Sequence, residues 1–352
     1  MTAGSGAVVI RTVDLHTAGE PVRIVEGGYP ELKGSTILEK RRDALARYDH
    51  LRRALMLEPR GHAGMYGVIP TPACHPDADF AVLFTHQEGY STMCGHATIA
   101  LGRWAVDTGR AAMRDGRAAF KLEVPCGVVD VEVRGQGENT HVTFESVEAF
   151  AGHLDQELAV PGFGPVRFDI SFGGAFYAIL PASRLGLSLM ETPLAELVRA
   201  GVAVTDAVRP AISITHPREP DLGFLYGTIL TDDVAIGAAD GRASYNLCVF
   251  AEGQIDRSPT GSGVTARIAL AAAKDEMAVG QSCEIRGVSG QGFIGTLARK
   301  SVGELGVTSR VKVGGTAFYA GRGEFICEVG DPFAFGFELP ERFSALDVPK
   351  HR

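Results

Sequence analysis

No stretch of this sequence holds the roughly 18 consecutive apolar residues that a membrane-crossing helix needs, so a soluble protein is expected. The six cysteines, Cys74, Cys94, Cys126, Cys248, Cys283 and Cys327, form no CxxC pair and no compact framework. That argues against a disulfide scaffold and for free thiols. Cys248 and Cys327 lie in apolar, strand-like runs and read as small buried hydrophobes, while Cys74 and Cys126 sit beside proline or glycine in turn-like settings. The ten histidines show neither HxH nor HExxH spacing, and no metal site is expected. With a net charge of −8 and no Lys/Arg stripe carrying aromatics, nucleic acid is not an expected partner. A basic leader is also missing: Ala7 to Ile10 is too short an apolar run before Arg11, and a cytoplasmic protein is expected.

What is present suggests two similar halves. At 352 residues the chain can build two or three cores. Met93-Cys94-Gly95-His96 opens an apolar, helix-like run. Far downstream, Asp256-Arg257-Ser258-Pro259-Thr260-Gly261-Ser262-Gly263 opens a second, Ala-rich one that runs to about Lys274. Short strand patterns surround both. The first half reads as a strand from Val8 to Leu15, a polar turn from His16 to Pro21 and a helix from Ser35 or Thr36 to Pro59. A buried strand at Phe80 to Phe84, the Cys94 helix and a meander through Val147 follow. Around Gly162 the order restarts, with a helix near Pro193 to Ala200 and strands that include Ala211 to Thr215, Gly223 to Thr231 and Ser244 to Phe250. We therefore expect an α/β domain over 1–162 and a second over 163–352, with the last strand free to cross back to the first. The Lys40-Arg41-Arg42 and Arg52-Arg53 charges read as a solvated helix face. His16 and Glu20 fit either a hydrogen-bonded loop corner or a strand end facing a ligand, and Tyr226 fits a core position better than a cleft.

Two helix N-termini facing each other would present unpaired N–H groups and partial positive charge, a site for a carboxylate. Gly95 and Gly261 permit close backbone approach, and His96 and Ser262 can donate to a ligand or, for Ser262, cap the helix. The alternative for His96 is a surface position in the first turn. Cys94 stands where a helix field favours thiolate, suiting a base or nucleophile. Asp256 is placed to meet an ammonium group while the amides hold the carboxylate, the pairing an amino acid requires.

These motifs resemble the proline racemase family, which includes proline racemases, hydroxyproline epimerases and hydroxyproline dehydratases. The resemblance covers nearly the whole chain. Besides the two long motifs it includes Asp14-Leu15-His16-Thr17-Ala18-Gly19-Glu20-Pro21, Ser171-Phe172-Gly173-Gly174 and Thr215-His216-Pro217. It implies a fold of the diaminopimelate-epimerase type, two pseudo-symmetric strand-rich α/β domains, each around a central helix, with the active site between them. By the same resemblance Cys94 is a catalytic base, Gly95, His96, Gly261 and Ser262 cradle the carboxylate, and Asp256 binds the amine. Racemases and epimerases of this family carry a second cysteine where this chain has Thr260. A threonine hydroxyl is too weak an acid to become a base at Cα near neutral pH, so only one face of the substrate meets a competent base.

The resemblance and this departure together imply a cofactor-independent hydro-lyase of amino-acid degradation. It would dehydrate trans-3-hydroxy-L-proline to the Δ2-pyrroline, which tautomerises to Δ1-pyrroline-2-carboxylate. Thr260 would position substrate or water, or merely pack. A 4-hydroxyproline epimerase or proline racemase is the alternative within enzymes, and a non-catalytic amino-acid-binding protein the alternative outside them. A small-molecule substrate is the expected partner, with a homodimer left open.

Overall fold

The computed structural model describes residues 6–238, 240–303 and 306–339. Residues 1–5, part of the leader argument, and the tail of the expected second domain from 340 onward lie outside the described residues.

The chain opens with β1 (Val8–Thr17), β2 (Glu20–Gly27), α1 (Ile37–Met56), β3 (Gly67–Thr71), β4 (Phe80–Thr85), β5 (Tyr90–Ser91) and α2 (Gly95–Asp107). It continues through β6 (Arg117–Val124), β7 (Gly127–Arg134), β8 (His141–Glu145) and β9 (Ala149–Val160). Next come β10 (Gly164–Phe172), β11 (Phe176–Pro181), α3 (Leu194–Ala211), β12 (Leu225–Thr231), β13 (Ser244–Phe250) and β14 (Gln254–Ile255). After α4 (Gly261–Ala273) the described strands are β15 (Ser282–Arg286), β16 (Gly292–Gly303), β17 (Gly306–Gly315) and β18 (Ala317–Cys327).

Pairing among the described residues arranges these strands in two rings, the first left open between β17 and β18 and the second closed. One runs β18, β1, β2, β3, β4, β6, β7, β8 and on to β17. The other runs β17, β16, β15, β13, β12, β11, β10, β9 and returns to β17. Thus β9 joins the second ring although it precedes Gly162, and β18 closes back onto β1. α2 packs inside the first ring and α4 inside the second. Their composition suits that place: Gly95 to Ala105 and Gly261 to Ala272 are buried on every side, so neither helix needs a polar face. Small residues let the strands close in, as where Gly102 meets Val142 and Gly295 meets Val264 and Ile268.

Several sequence expectations are corrected. The polar segment His16 to Pro21 is a tight hairpin between β1 and β2, turned by Ala18 (φ 51) and Gly19 (φ 84), so His16 and Glu20 belong to strands. Ala211 to Thr215 is no strand, because the apolar spacing of Leu197, Ala200, Val204 and Val208 carries α3 on to Ala211. β9 escaped notice because most of its residues alternate between half-buried and exposed. α1 starts as expected, on a capping box between Thr36 and Glu39. Its charges are not all solvated: Lys40 is buried and donates to Thr71 Oγ1 and the Pro72 carbonyl. Buried Arg52 pairs with Asp49 and donates to the His86 and Gln87 carbonyls, while Leu45 is exposed. No helix among the described residues is long and apolar enough to cross a membrane.

The rings meet at the N-termini of α2 and α4. A Cβ on Gly95 would lie 2.4 Å from Gly261 Cα, and one on Gly261 would lie 2.5 Å from Gly95 Cα. Backbone stands against backbone, and no side chain is there to yield. We predict that Gly95→Ala costs about 1–3 kcal/mol of stability, the usual scale of overpacking, and removes binding of carboxylate ligands between the helices. Gly321→Ala, whose added Cβ meets nothing within 4 Å, is the control and should melt like wild type. Equal melting temperatures for all three proteins would contradict this account of the junction.

Candidate active site

Directly at this junction lies a cavity lined by residues from both rings. Cys94, Gly95, His96, Asp256, Thr260, Gly261 and Ser262, all singled out in the sequence, line it together. The Ser171–Gly174 segment braces it. A Cβ on Gly173 would lie 2.1 Å from the Ser262 carbonyl oxygen, and the Gly174 carbonyl accepts from Thr92 Oγ1 at 2.7 Å. His216 packs against Phe150 and Phe172 and does not line the cavity.

Cys94 is the N-cap of α2, and its sulfur accepts the Ala97 N–H at 3.4 Å. The N–H groups of Gly95 and His96 therefore remain for a ligand, with those of Gly261 and Ser262 at the opposite helix start. His96 is buried, with Nδ1 3.2 Å from Cys94 Sγ and 3.8 Å from Asp256 Oδ2, which replaces the surface position left open for it above. Burial lowers the imidazole pKa more than Asp256 raises it, so the ring is neutral in the free protein.

Thr260 occupies the matching N-cap of α4 with φ 64 and ψ 95, a backbone region hostile to a β-branched residue. Its hydroxyl does not cap the helix. Thr260 Oγ1 is buried without a hydrogen-bond partner among the described residues, and the Cys248 thiol lies beside it. The strained loop is held from several sides. Asp256 Oδ1 accepts the Ser258 N–H, Ser258 Oγ accepts the Thr260 N–H, and Asn246 Nδ2 donates to the Pro259 carbonyl. Arg257 N–H and Nη1 donate to Glu20 Oε2, at 2.7 Å and 3.1 Å, tying this loop to the β1–β2 hairpin.

The remaining lining comes from Glu20, Tyr66, Met93, Tyr177, Tyr226, Cys248 and Phe250. Tyr226 is thus a cavity residue, its ring stacked on Phe250 at 5.3 Å, not a plain core tyrosine. Cys248 was legible only as a buried apolar position, because nothing in a strand pattern tells a core wall from a cavity wall. Tyr177 holds Ser262 Oγ at 2.7 Å, so that hydroxyl is engaged from the side and α4 has no Ser262 N-cap.

The thiolate expected at Cys94 is corrected. Burial pushes the Cys94 thiol well above its usual range, and the negative charge of Asp256 pushes the same way. The Ala97 N–H and the Tyr66 hydroxyl act in the opposite sense without prevailing. Free enzyme therefore holds a neutral thiol at neutral pH, and a cation bound beside Asp256 would favour the thiolate. Because a raised pKa keeps the acid form to higher pH, alkylation of the Cys94 peptide by iodoacetamide should still be climbing at pH 9. A plateau by pH 8, read by peptide mapping, would contradict this.

Comparison with known proteins agrees with the geometry. The family model described as proline racemase matches residues 12–338. The chain is 46% identical over 343 residues to the human trans-3-hydroxy-L-proline dehydratase, covering 95% of this chain and 96% of that protein. It is 42% identical over 334 residues to the Colwellia psychrerythraea protein of the same name, covering 94% and 93%. A hydroxyproline epimerase from Agrobacterium vitis, solved with trans-4-OH-L-proline bound, superposes with a TM-score of 0.87 at 26% identity, covering 96% of this chain and 98% of that one.

Proposed function

The chain belongs to the proline racemase family, and from that premise we propose that it dehydrates trans-3-hydroxy-L-proline to Δ1-pyrroline-2-carboxylate through the Δ2 tautomer. The dehydratases to which it is 42–46% identical over most of its length support the substrate and the reaction. The observation that carries the reading is the pair of matched N-caps in one cavity, a thiol at Cys94 and an alcohol at Thr260. Inversion at Cα needs an acid/base on both faces, and a threonine hydroxyl is not one near neutral pH. Elimination of water needs only one face here. In trans-3-hydroxy-L-proline the hydroxyl lies on the ring face of the Cα hydrogen, so both can depart toward Cys94.

The substrate carboxylate lies between the N–H groups of Gly95 and His96 and those of Gly261 and Ser262, in the positive field of two helix ends. Its ammonium meets Asp256. That cation offsets the Asp256 charge, which with burial kept Cys94 protonated, so the base is generated where and when substrate is bound. His96 Nδ1 is near enough to receive the thiol proton. Cys94 then takes the Cα hydrogen, and the carbanion character is spread into a carboxylate held by oriented amides with little water present. Thr260, with the Cys248 thiol beside its hydroxyl, holds the opposite ring face. The chain supplies every group this sequence of steps uses, so the reaction needs no cofactor. Six unpaired cysteines suit a reducing compartment, and we place the protein in the cytoplasm.

Cys94→Ser should lose turnover by at least about 100-fold, the scale of a lost general base, while pyrrole-2-carboxylate still binds through the amides. Thr260→Cys should gain epimerisation of trans-4-hydroxy-L-proline, seen by chiral chromatography, where wild type shows little. Turnover retained in Cys94→Ser, or efficient epimerisation by wild type, would contradict the one-base reading.

A further inference from the structure

A syn elimination needs an acid as well as a base, because hydroxide is a poor leaving group and must depart as water. Both groups must stand on the Cys94 side of the ring. The cavity that Cys94 lines holds a second carboxyl that amine binding does not use, on a hairpin tied to the Cys94 helix by Thr17 Oγ1, which donates to the His96 carbonyl at 2.9 Å. Glu20 begins β2, is buried, and lines the cavity with Cys94 and Asp256. The substrate brings a single ammonium, which Asp256 satisfies.

The bonding around Glu20 also says where a proton on it would sit. Oε2 accepts from the Arg257 backbone N–H at 2.7 Å and from Arg257 Nη1 at 3.1 Å. Oε1 has no hydrogen bond among the described residues. Two donors on Oε2 make it the carbonyl oxygen of a carboxylic acid and leave the hydroxyl at Oε1. Resting on the dehydratase reading above, we propose that Glu20 is the general acid that protonates the departing C3 hydroxyl. Its protonation state agrees: burial and the neighbouring Asp256 charge raise its pKa well above the usual range, against the pull of the Arg257 N–H and guanidinium. Two neighbouring carboxyls with divided roles, one ionised and one protonated, are a recurrent acid/base arrangement.

The step balances without an oxidant or co-reactant. The Cα–H bond breaks and its proton goes to the Cys94 sulfur, while its electron pair forms the C2=C3 bond. The C3–O bond breaks, and the leaving oxygen takes the Glu20 proton to become water. Cys94 is left as thiol and Glu20 as carboxylate. The proton that His96 took from the thiol passes to Glu20 through the released water, which leaves thiol, neutral imidazole and carboxylic acid as in the free enzyme.

Glu20→Gln tests this, because it keeps an acceptor for Arg257 and loses only the acid. The probes are trans-3-hydroxy-L-proline and the 3-chloro analogue of the same configuration, whose chloride leaves without a proton. With the hydroxy substrate kcat should fall roughly 10²- to 10⁴-fold, the range of general acid catalysis. With the chloro compound it should stay within a few-fold of wild type, which also shows that the variant is folded. An unchanged rate on the hydroxy substrate would overturn the assignment. An equal loss on both compounds would overturn it too, making Glu20 a structural clamp for Arg257. Failure of the underlying reading shows separately, as wild-type enzyme that forms no pyrroline carboxylate from either compound, and it takes the assignment with it.

Discussion

Everything in this molecule converges on the contact between Gly95 and Gly261, where two helix starts touch backbone to backbone. Neither helix could be brought there by a surface position. Each must run through the middle of a ring of strands, so each is buried on all sides and built mostly from small or apolar residues, with Arg103 and Arg267 buried among them. The strand order follows from the same demand, with β17 shared between the rings and β18 returning to β1. The result is a cavity whose polar character comes largely from the ends of helices. Such donors are already oriented and need not reorganise as charge develops.

Burial has an electrostatic consequence that the bare motif does not display. A helix N-terminus alone lowers a thiol pKa, yet Cys94 shares its enclosure with Asp256 and Glu20 and is pushed the other way. His96 is driven neutral by the same burial. The empty site is thus a poor base. In the binding mode proposed above, a zwitterion changes that balance, its ammonium at Asp256 and its carboxylate at the amides. Basicity is then tied to occupancy, which spares the thiol from reacting in the absence of substrate.

Much of this was legible in the sequence, for reasons that can be named. Cys94-Gly95-His96 and Thr260-Gly261-Ser262 combine helix-start chemistry with glycine in adjacent residues, so local pattern sufficed to pair them. The strands of both halves showed through their alternation and turns. What failed was nonlocal. Glu20 stayed open between a loop corner and a strand end facing a ligand because nothing nearby announces Arg257 as its partner. Lys40 and Arg52 looked solvated because the carbonyls that receive them lie on other elements. Cys248, Tyr66 and Tyr177 are apolar or amphipathic positions on otherwise ordinary elements, and only closure of the rings turns them into cavity walls. The sign of the Cys94 shift failed for the same reason, since burial by the closing rings, with the distant Asp256 carboxylate, outweighs a field read from its own helix.

The central claim is that one face of the cavity carries a competent base and the other does not. Proton NMR of the purified protein with trans-3-hydroxy-L-proline in D2O tests it in a single sample. The account predicts that substrate signals decay into those of the pyrroline carboxylate, with no Cα-deuterated epimer accumulating at any time. Build-up of that epimer while the pyrroline signals stay absent would contradict it, because deuterium would then have been delivered from the face on which Thr260 stands.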